Sequence, residues 1–142
     1  MVAFNKFNAF LEHLAEKVHN LGSDTLKVML TNTAPTAANT VKADLTEIAA
    51  GNGYTAGGVA LPVTTSAQTG GVYKLVVGDA TITASGGSIG PFRYAVLYND
   101  TPTAAPIDPL IGWFDYGSAI TLAPGEALTI DADPTTGILT LT

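Results

Sequence analysis

Histidine is the first residue type here that could do chemistry, because its ring nitrogens act as general bases and metal ligands. The chain has two, His13 and His19. Both fall in a segment predicted to be helical, where six residues correspond to about 600° of rotation, so their side chains point about 120° apart. We expect no shared metal within one chain. A trimer axis could gather one histidine from each copy, but surface histidines are the favoured interpretation.

Other reactive side chains are few. There is no cysteine, which excludes thiol nucleophiles, thiolate metal sites and disulfides. Asp131 and Asp133 share a strand face and could approach Ca²⁺ together with Thr136, although a turn stabilised by Asp133 is favoured. Glycine-rich residues 51–53 and 85–88 are not phosphate loops, because neither is followed by Lys-Ser/Thr and a helix. We predict no enzymatic activity, no cofactor and no metal.

The aromatic residues permit two interpretations. Phe92, Tyr94 and Tyr98 share one face of a predicted strand, and Trp113 and Tyr116 lie near a second strand. If Trp113, Tyr116 or Tyr98 were exposed around a shallow groove, they could stack on sugar rings. Packing in the core is the favoured interpretation, since aromatic side chains usually fill it.

One amphipathic α-helix is predicted at the N-terminus, over residues 1–22. Apolar side chains recur at spacings of three and four, at Phe4, Phe7, Leu11, Leu14, Val18 and Leu21. Gly22 follows as a residue that could end the helix in the left-handed conformation. The stripe fits packing against a sheet, and it also fits a heptad seam that pairs with a helix of another subunit.

After Gly22 the apolar period changes to two, which predicts short antiparallel strands separated by turns. The predicted strands cover residues 25–31, 59–65, 72–77, 80–84, 92–98, 110–114, 118–122, 127–131 and 138–142. Pro62 places its strand at an edge or a bulge, and residues 43–50 fit either a strand or a short helical turn. The fold class is therefore mainly β: an antiparallel β-sandwich over residues 23–142, with a jelly-roll-like order as one form, in a single domain 1–142.

Composition narrows the classes of partner. Charged residues make up 13% of the chain and the net charge is −6, against a typical charged share of about 25%. The few basic residues are scattered, so we expect no direct nucleic-acid binding. No apolar run approaches the ~18 residues of a membrane span, and no signal-peptide pattern is present. A surface with so few charges indicates a protein that is covered by neighbours.

Several strings resemble small structural proteins of tailed bacteriophages. They are residues 4–8 (FNKFN), 43–48 (ADLTEI), 51–58 (GNGYTAGG), 92–100 (FRYAVLYND) and 109–117 (PLIGWFDYG). The resemblance implies a virion component that is assembled in the host cytoplasm, with capsid decoration (cement) as the first choice. A tail or fibre component, with a receptor- or glycan-binding role, is the alternative.

For a decoration protein, the expected partners are the major capsid protein and further copies of the chain, as a homotrimer at local threefold positions. The predicted contact residues are Phe4, Phe7, Leu11 and Leu14 on the helix, with Pro35, Pro102 and Pro106 in loops 32–42 and 99–109. Deleting residues 1–21 is then expected to abolish oligomerisation or capsid binding.

Overall fold

Within residues 2–142, which the computed structural model describes, the chain forms ten strands, one α-helix and a 3₁₀ turn at Lys42–Asp44. The elements in chain order are β1 (Phe4–Lys6), α1 (Ala9–Ala15), β2 (Leu26–Thr31), β3 (Val59–Leu61), β4 (Val63–Thr69), β5 (Val72–Val77), β6 (Ala80–Thr83), β7 (Ile89–Asn99), β8 (Leu110–Leu122), β9 (Ala127–Ile130) and β10 (Leu139–Leu141). All strand pairs are antiparallel. The mainly β, antiparallel, sandwich-like class predicted from the sequence is confirmed.

The strands form three sheets. The largest has the order β1-β8-β7-β2-β3, and the smaller sheets have the orders β10-β5-β4 and β6-β9. The main core lies between the large sheet and the two small ones. It joins Val28, Leu97 and Ile111 of the large sheet to Leu75 of β5 and Leu128 of β9.

The opposite face of the large sheet is also buried. Met29, Val96 and Tyr98 form a second cluster there, which Phe7 and Leu45 cover. Burial on both faces explains why residues 92–98 read as a nearly continuous apolar and aromatic run. The packing interpretation of the aromatic residues holds for Tyr98, whose side chain is fully buried.

The N-terminal helix is much shorter than the predicted 1–22. Residues 4–6 pair with β8 as strand β1, and the helix ends near Lys17, which has a φ of 65°. Phe7 belongs to the outer cluster and Phe10 to the main core, so the segment passes from one face of the sheet to the other. A single helical stripe cannot do this. Burial in two clusters and strand pairing therefore prevail over the helical spacing.

Elsewhere the predicted strand positions agree closely with the structure. Pro62 lies where the chain leaves edge strand β3 and enters β4 of a different sheet, and a register shift follows between Val63 and Thr65. This confirms the expected edge or bulge. Predicted strands 110–114 and 118–122 form one long strand, β8. Residues 43–50 contribute part of the 3₁₀ turn and no strand.

Candidate assembly surface

The predicted contact residues of the N-terminal segment have different environments. Phe4 is half-buried, and its ring lies 5.2 Å from that of Phe114. Phe7 is fully buried, with its ring 4.6 Å from that of Trp113, so it serves the core. Leu14 is half-buried against the main core. Leu11 is 49% exposed, which leaves it as the one member of this group with a largely free side chain.

Loop 32–42 is folded and hydrogen-bonded along its length. The N–H of Thr36 donates to the Asn39 side chain (2.8 Å), and the N–H of Asn8 donates to the Ala37 carbonyl (2.9 Å). At its end, the backbone N–H groups of Thr40 and Val41 donate to the Asp44 carboxylate (2.8 and 3.2 Å). These bonds, from Thr40 first, lower the pKa of Asp44. Predicted contact residue Pro35 lies half-buried in this ordered loop.

Loop 99–109 is joined directly to loop 32–42. The N–H of Lys42 donates to the Asp108 carbonyl, and that of Leu110 donates to the Thr40 carbonyl, both at 3.0 Å. Predicted contact residues Pro102 and Pro106 are half-buried within it. The two loops therefore form one ordered surface beside the N-terminus of α1, which we call the loop surface.

The loop surface carries no ionisable side chain over residues 32–41 and 101–107, where it consists of Thr, Ala, Asn, Pro, Val and Ile. Ile107 is 56% exposed. Charges lie at its margins. Lys42 and Asp108 adjoin the uncharged ranges, and the Lys27 ammonium and the Asp100 carboxylate form an ion pair at 2.7 Å. Burial, and then the nearby charge of Asp100, raise the pKa of Asp108. Covering a surface of this kind costs little desolvation free energy.

A polar network that includes the buried Tyr54 and Tyr98 and the half-buried Glu47 anchors the loops to the sheet; it was not identified from the sequence. The Glu47 carboxylate accepts hydrogen bonds from the Tyr54 hydroxyl and from the Gly57 N–H, both at 2.7 Å. It also pairs with the Lys42 ammonium at 3.3 Å. The Tyr98 hydroxyl donates to the Gly57 carbonyl at 2.7 Å. Burial raises the pKa of both tyrosines, so they remain neutral hydrogen-bonding groups. Nothing in the residues next to Glu47 in the sequence indicates that its carboxylate accepts hydrogen bonds from Tyr54 and Gly57.

The two histidines are close together, contrary to the prediction from helical geometry. Their ring centroids lie 5.9 Å apart, because the helix ends before His19 and the chain folds back. His19 is 4% exposed, so the expectation of two surface histidines is wrong for it. His13 Nδ1 and His19 Nε2 are both buried without a hydrogen-bond partner.

The contacts of Asn99 determine which ring nitrogen of neutral His19 carries the proton. The Asn99 side-chain oxygen accepts from the Thr101 N–H (3.0 Å), while its amide nitrogen donates to Asp24 (2.6 Å) and faces His19 Nδ1 (3.1 Å). His19 Nδ1 must therefore accept, and the proton of the neutral ring sits on Nε2. A protonated Nε2 is not a metal ligand. Across residues 2–142 no group of three or more His, Cys, Asp or Glu residues is placed to hold a metal ion.

The remaining candidates are resolved by local geometry. The Asp133 carboxylate accepts from the Thr135 N–H (2.7 Å) and the Thr136 hydroxyl (3.0 Å), which is the favoured turn. Residues 86–90 (GGSIG) match the spacing of a nucleophile elbow. That motif needs a strand-to-helix turn, whereas Ser88 leads directly into strand β7.

Comparison with protein-family models, with curated proteins and with solved structures returned no match for this chain. Among residues 2–142, no helix has the length and apolar character needed to span a membrane.

Proposed function

We propose that this chain is a structural protein of a bacteriophage particle, acting as a capsid decoration protein that binds the major capsid protein and its own copies, with the trimer as the expected oligomer. In this role it contributes contact area to the shell and no reactive group. The resemblance of five strings to tailed-phage structural proteins supports the class. The observation that carries the proposal is the loop surface: two hydrogen-bonded loops that have no ionisable side chain over residues 32–41 and 101–107 and that present Ile107.

The order of the two loops and the lack of charge at their centre each favour attachment of the loop surface to a neighbouring protein. Loops that are already fixed lose little conformational entropy when a neighbour covers them. A contact without charged groups avoids the cost of burying an unpaired ion. Leu11 and Ile107, at 49% and 56% exposure, supply apolar side chains of the kind that interfaces bury.

A point substitution tests this surface without removing core residues, which deletion of residues 1–21 would do at Phe7 and Phe10. Ile107→Asp is expected to weaken binding to shells of the encoding phage at least about tenfold, since a buried unpaired carboxylate costs more than about 1.4 kcal/mol. Co-sedimentation of the purified protein with particles stripped of it measures the effect.

The matched control is Thr81→Asp, which adds the same charge at an exposed position of β6. It is expected to bind like the wild type, and thermal unfolding of both variants separates a loss of binding from a loss of folded protein. If Ile107→Asp bound as tightly as the wild type, the loop surface would not be the surface that contacts the shell. Electron microscopy of the intact particle then places the chain on the head or elsewhere.

One observation favours the alternative of a glycan-binding tail module. A groove of about 310 Å³ is lined by Phe114, Tyr116 and Asp131 among others, and aromatic faces beside a carboxylate suit a sugar ring. Of the aromatics first considered for this role, Tyr98 is buried and Trp113 packs on Phe7, which leaves Tyr116. This alternative predicts glycan-array signals that Tyr116→Ala abolishes, and an array without signals refutes it.

A further inference from the structure

Strand β4 is an open edge of the three-stranded sheet. It hydrogen-bonds only to β5, in the order β10-β5-β4. The two strands are joined by Gly70 and Gly71, whose φ values of 60° and 85° define a two-residue turn of type I′. Thr69 and Val72 therefore form the closing hydrogen-bonded pair. Because bonded and non-bonded pairs alternate along an antiparallel ladder, Ser66 and Gln68 direct their backbone N–H and C=O groups away from β5.

These outward groups have no partner among the backbone and side-chain hydrogen bonds of residues 2–142. The Ser66 hydroxyl bonds to the Tyr73 hydroxyl at 2.9 Å, and the Gln68 side-chain oxygen accepts from the Gly71 N–H at 3.1 Å. Ser66 and Gln68 make both contacts through their side chains only. Their outward backbone N–H and C=O groups can therefore pair with another strand.

Over residues 65–69 the β4 edge lacks the features that keep edge strands apart. Proteins protect their edges with charged residues, proline, bulges or very short strands. The other sheet edges here are short, with three residues in β1, β3 and β10 and four in β6 and β9. β4 has seven residues, VTTSAQT, none of them charged, and six of the seven are exposed. Its one irregularity, between Val63 and Thr65, leaves the remainder regular.

We propose that β4 pairs antiparallel with β4 of a second copy about a two-fold axis, so that two three-stranded sheets join into one of six strands. A second copy fits because the edge is self-complementary. With Ala67 on the axis, Ser66 faces Gln68 of the second copy and Gln68 faces Ser66 of the second copy, so that outward N–H and C=O groups meet. Thr64, whose hydroxyl donates to the Val76 carbonyl at 3.2 Å, lies outside this pairing. Although each chain carries a net charge of −6, the paired strands bring no like charges together. The closed two-fold arrangement leaves no β4 edge free.

The β4 contact adds a second interface to the proposed function. Only its location in a phage particle rests on that function. β4 lies in the three-stranded sheet, whereas loops 32–42 and 99–109 flank strands of the five-stranded sheet. The loop surface and the β4 edge are thus separate contacts. In a shell, the β4 contact would connect neighbouring decoration oligomers while the loop surface attaches each to the capsid.

The test compares Gln68→Pro with Gln68→Ala in the full chain. Both variants lose the bond from the Gly71 N–H to the Gln68 side chain, but only proline removes the outward backbone N–H. Sedimentation equilibrium over a wide range of protein concentration should show self-association for the wild type and for Gln68→Ala. We expect Gln68→Pro to associate at least tenfold more weakly. Hydrogen exchange should show the Ser66 and Gln68 amides gaining protection as the protein concentration of the wild type rises.

A second variant covers the case in which Gln68→Pro does not fold. Ser66→Glu keeps every backbone group and places two carboxylates on one face of the joined sheet, diagonally across the axis, which should weaken association at low salt and partly restore it at high salt. A wild-type chain that stays monomeric throughout, or association that neither variant weakens, overturns the β4 contact. Association in a chain that does not bind shells refutes the proposed function and leaves this contact standing.

Discussion

Substituting Gly58 with alanine is expected to lower the free energy of unfolding by about 4 kcal/mol, from steric overlap and backbone strain together. A Cβ at this position would overlap the carbonyl oxygen of Val28 and lie 2.6 Å from its carbonyl carbon and 2.8 Å from the Met29 Cα. These are backbone atoms of β2, an interior strand of the five-stranded sheet, and they cannot move aside as a flexible side chain could. Gly58 also has a φ of 79°, which side-chain-bearing residues rarely adopt.

Gly86→Ala is the matched control, because Gly86 has the same φ of 79° and no atom lies within 4 Å of its added Cβ. Its expected loss is the left-handed backbone cost alone, about 1–2 kcal/mol. Chemical denaturation of both variants isolates the contribution of the close approach to β2. Equal losses would show that the 51–58 segment does not need its contact with Val28.

Gly58→Ala should also loosen the loop surface. Gly57, beside Gly58, contributes its N–H to Glu47 and its carbonyl to Tyr98. Through Glu47 and Lys42 this network reaches loop 32–42. Displacement of residues 57–58 from β2 is therefore expected to loosen the loops as well as the sheet.

Acidification should destabilise the protein through His19. Burial, and then the neighbouring His13, lower its pKa from 6.5 to about 4 in the folded chain, and Asp24 opposes this shift. Because the folded chain binds the proton less well than the unfolded chain, the stabilisation is complete above pH 6.5 and is lost as pH falls from 6.5 toward 4. A difference of this size corresponds to about 3 kcal/mol at the acid end.

The control is His19→Asn, whose side-chain oxygen can replace Nδ1 as the acceptor for Asn99 but does not titrate. This variant is expected to be less stable at pH 7 because a smaller side chain leaves a cavity. Between pH 6.5 and 4 its free energy of unfolding should fall by about 3 kcal/mol less than that of the wild type. Urea titrations at several pH values measure both slopes, and parallel slopes would exclude His19 as the origin.

Strand positions were predictable from the sequence where burial on one face imposed a period of two and glycine or proline marked the ends. Val72–Val77 was predicted to the residue because the two glycines before it and Gly78 after it bracket an apolar run. Pro62 was informative for the same local reason, as it cannot donate a hydrogen bond within a sheet.

The N-terminal segment and the histidine pair were not predictable in this way. The spacing of Phe4, Phe7 and Phe10 fits a helix, and only the tertiary structure shows that Phe7 and Phe10 enter different clusters. The closeness of His13 and His19 depends on where the helix ends, and Lys17 gives no sign of adopting a positive φ. The Glu47 network joins groups from three separate segments, so no local pattern signals it.

The absence of ionisable groups from residues 32–41 and 101–107 of the loop surface has a consequence for the environments in which a particle could keep this protein. Attraction between charges weakens with added electrolyte, whereas contacts between alanine, threonine, proline and isoleucine do not depend on it in that way. Adhesion through these loops should accordingly persist from nearly ion-free water to concentrated brine.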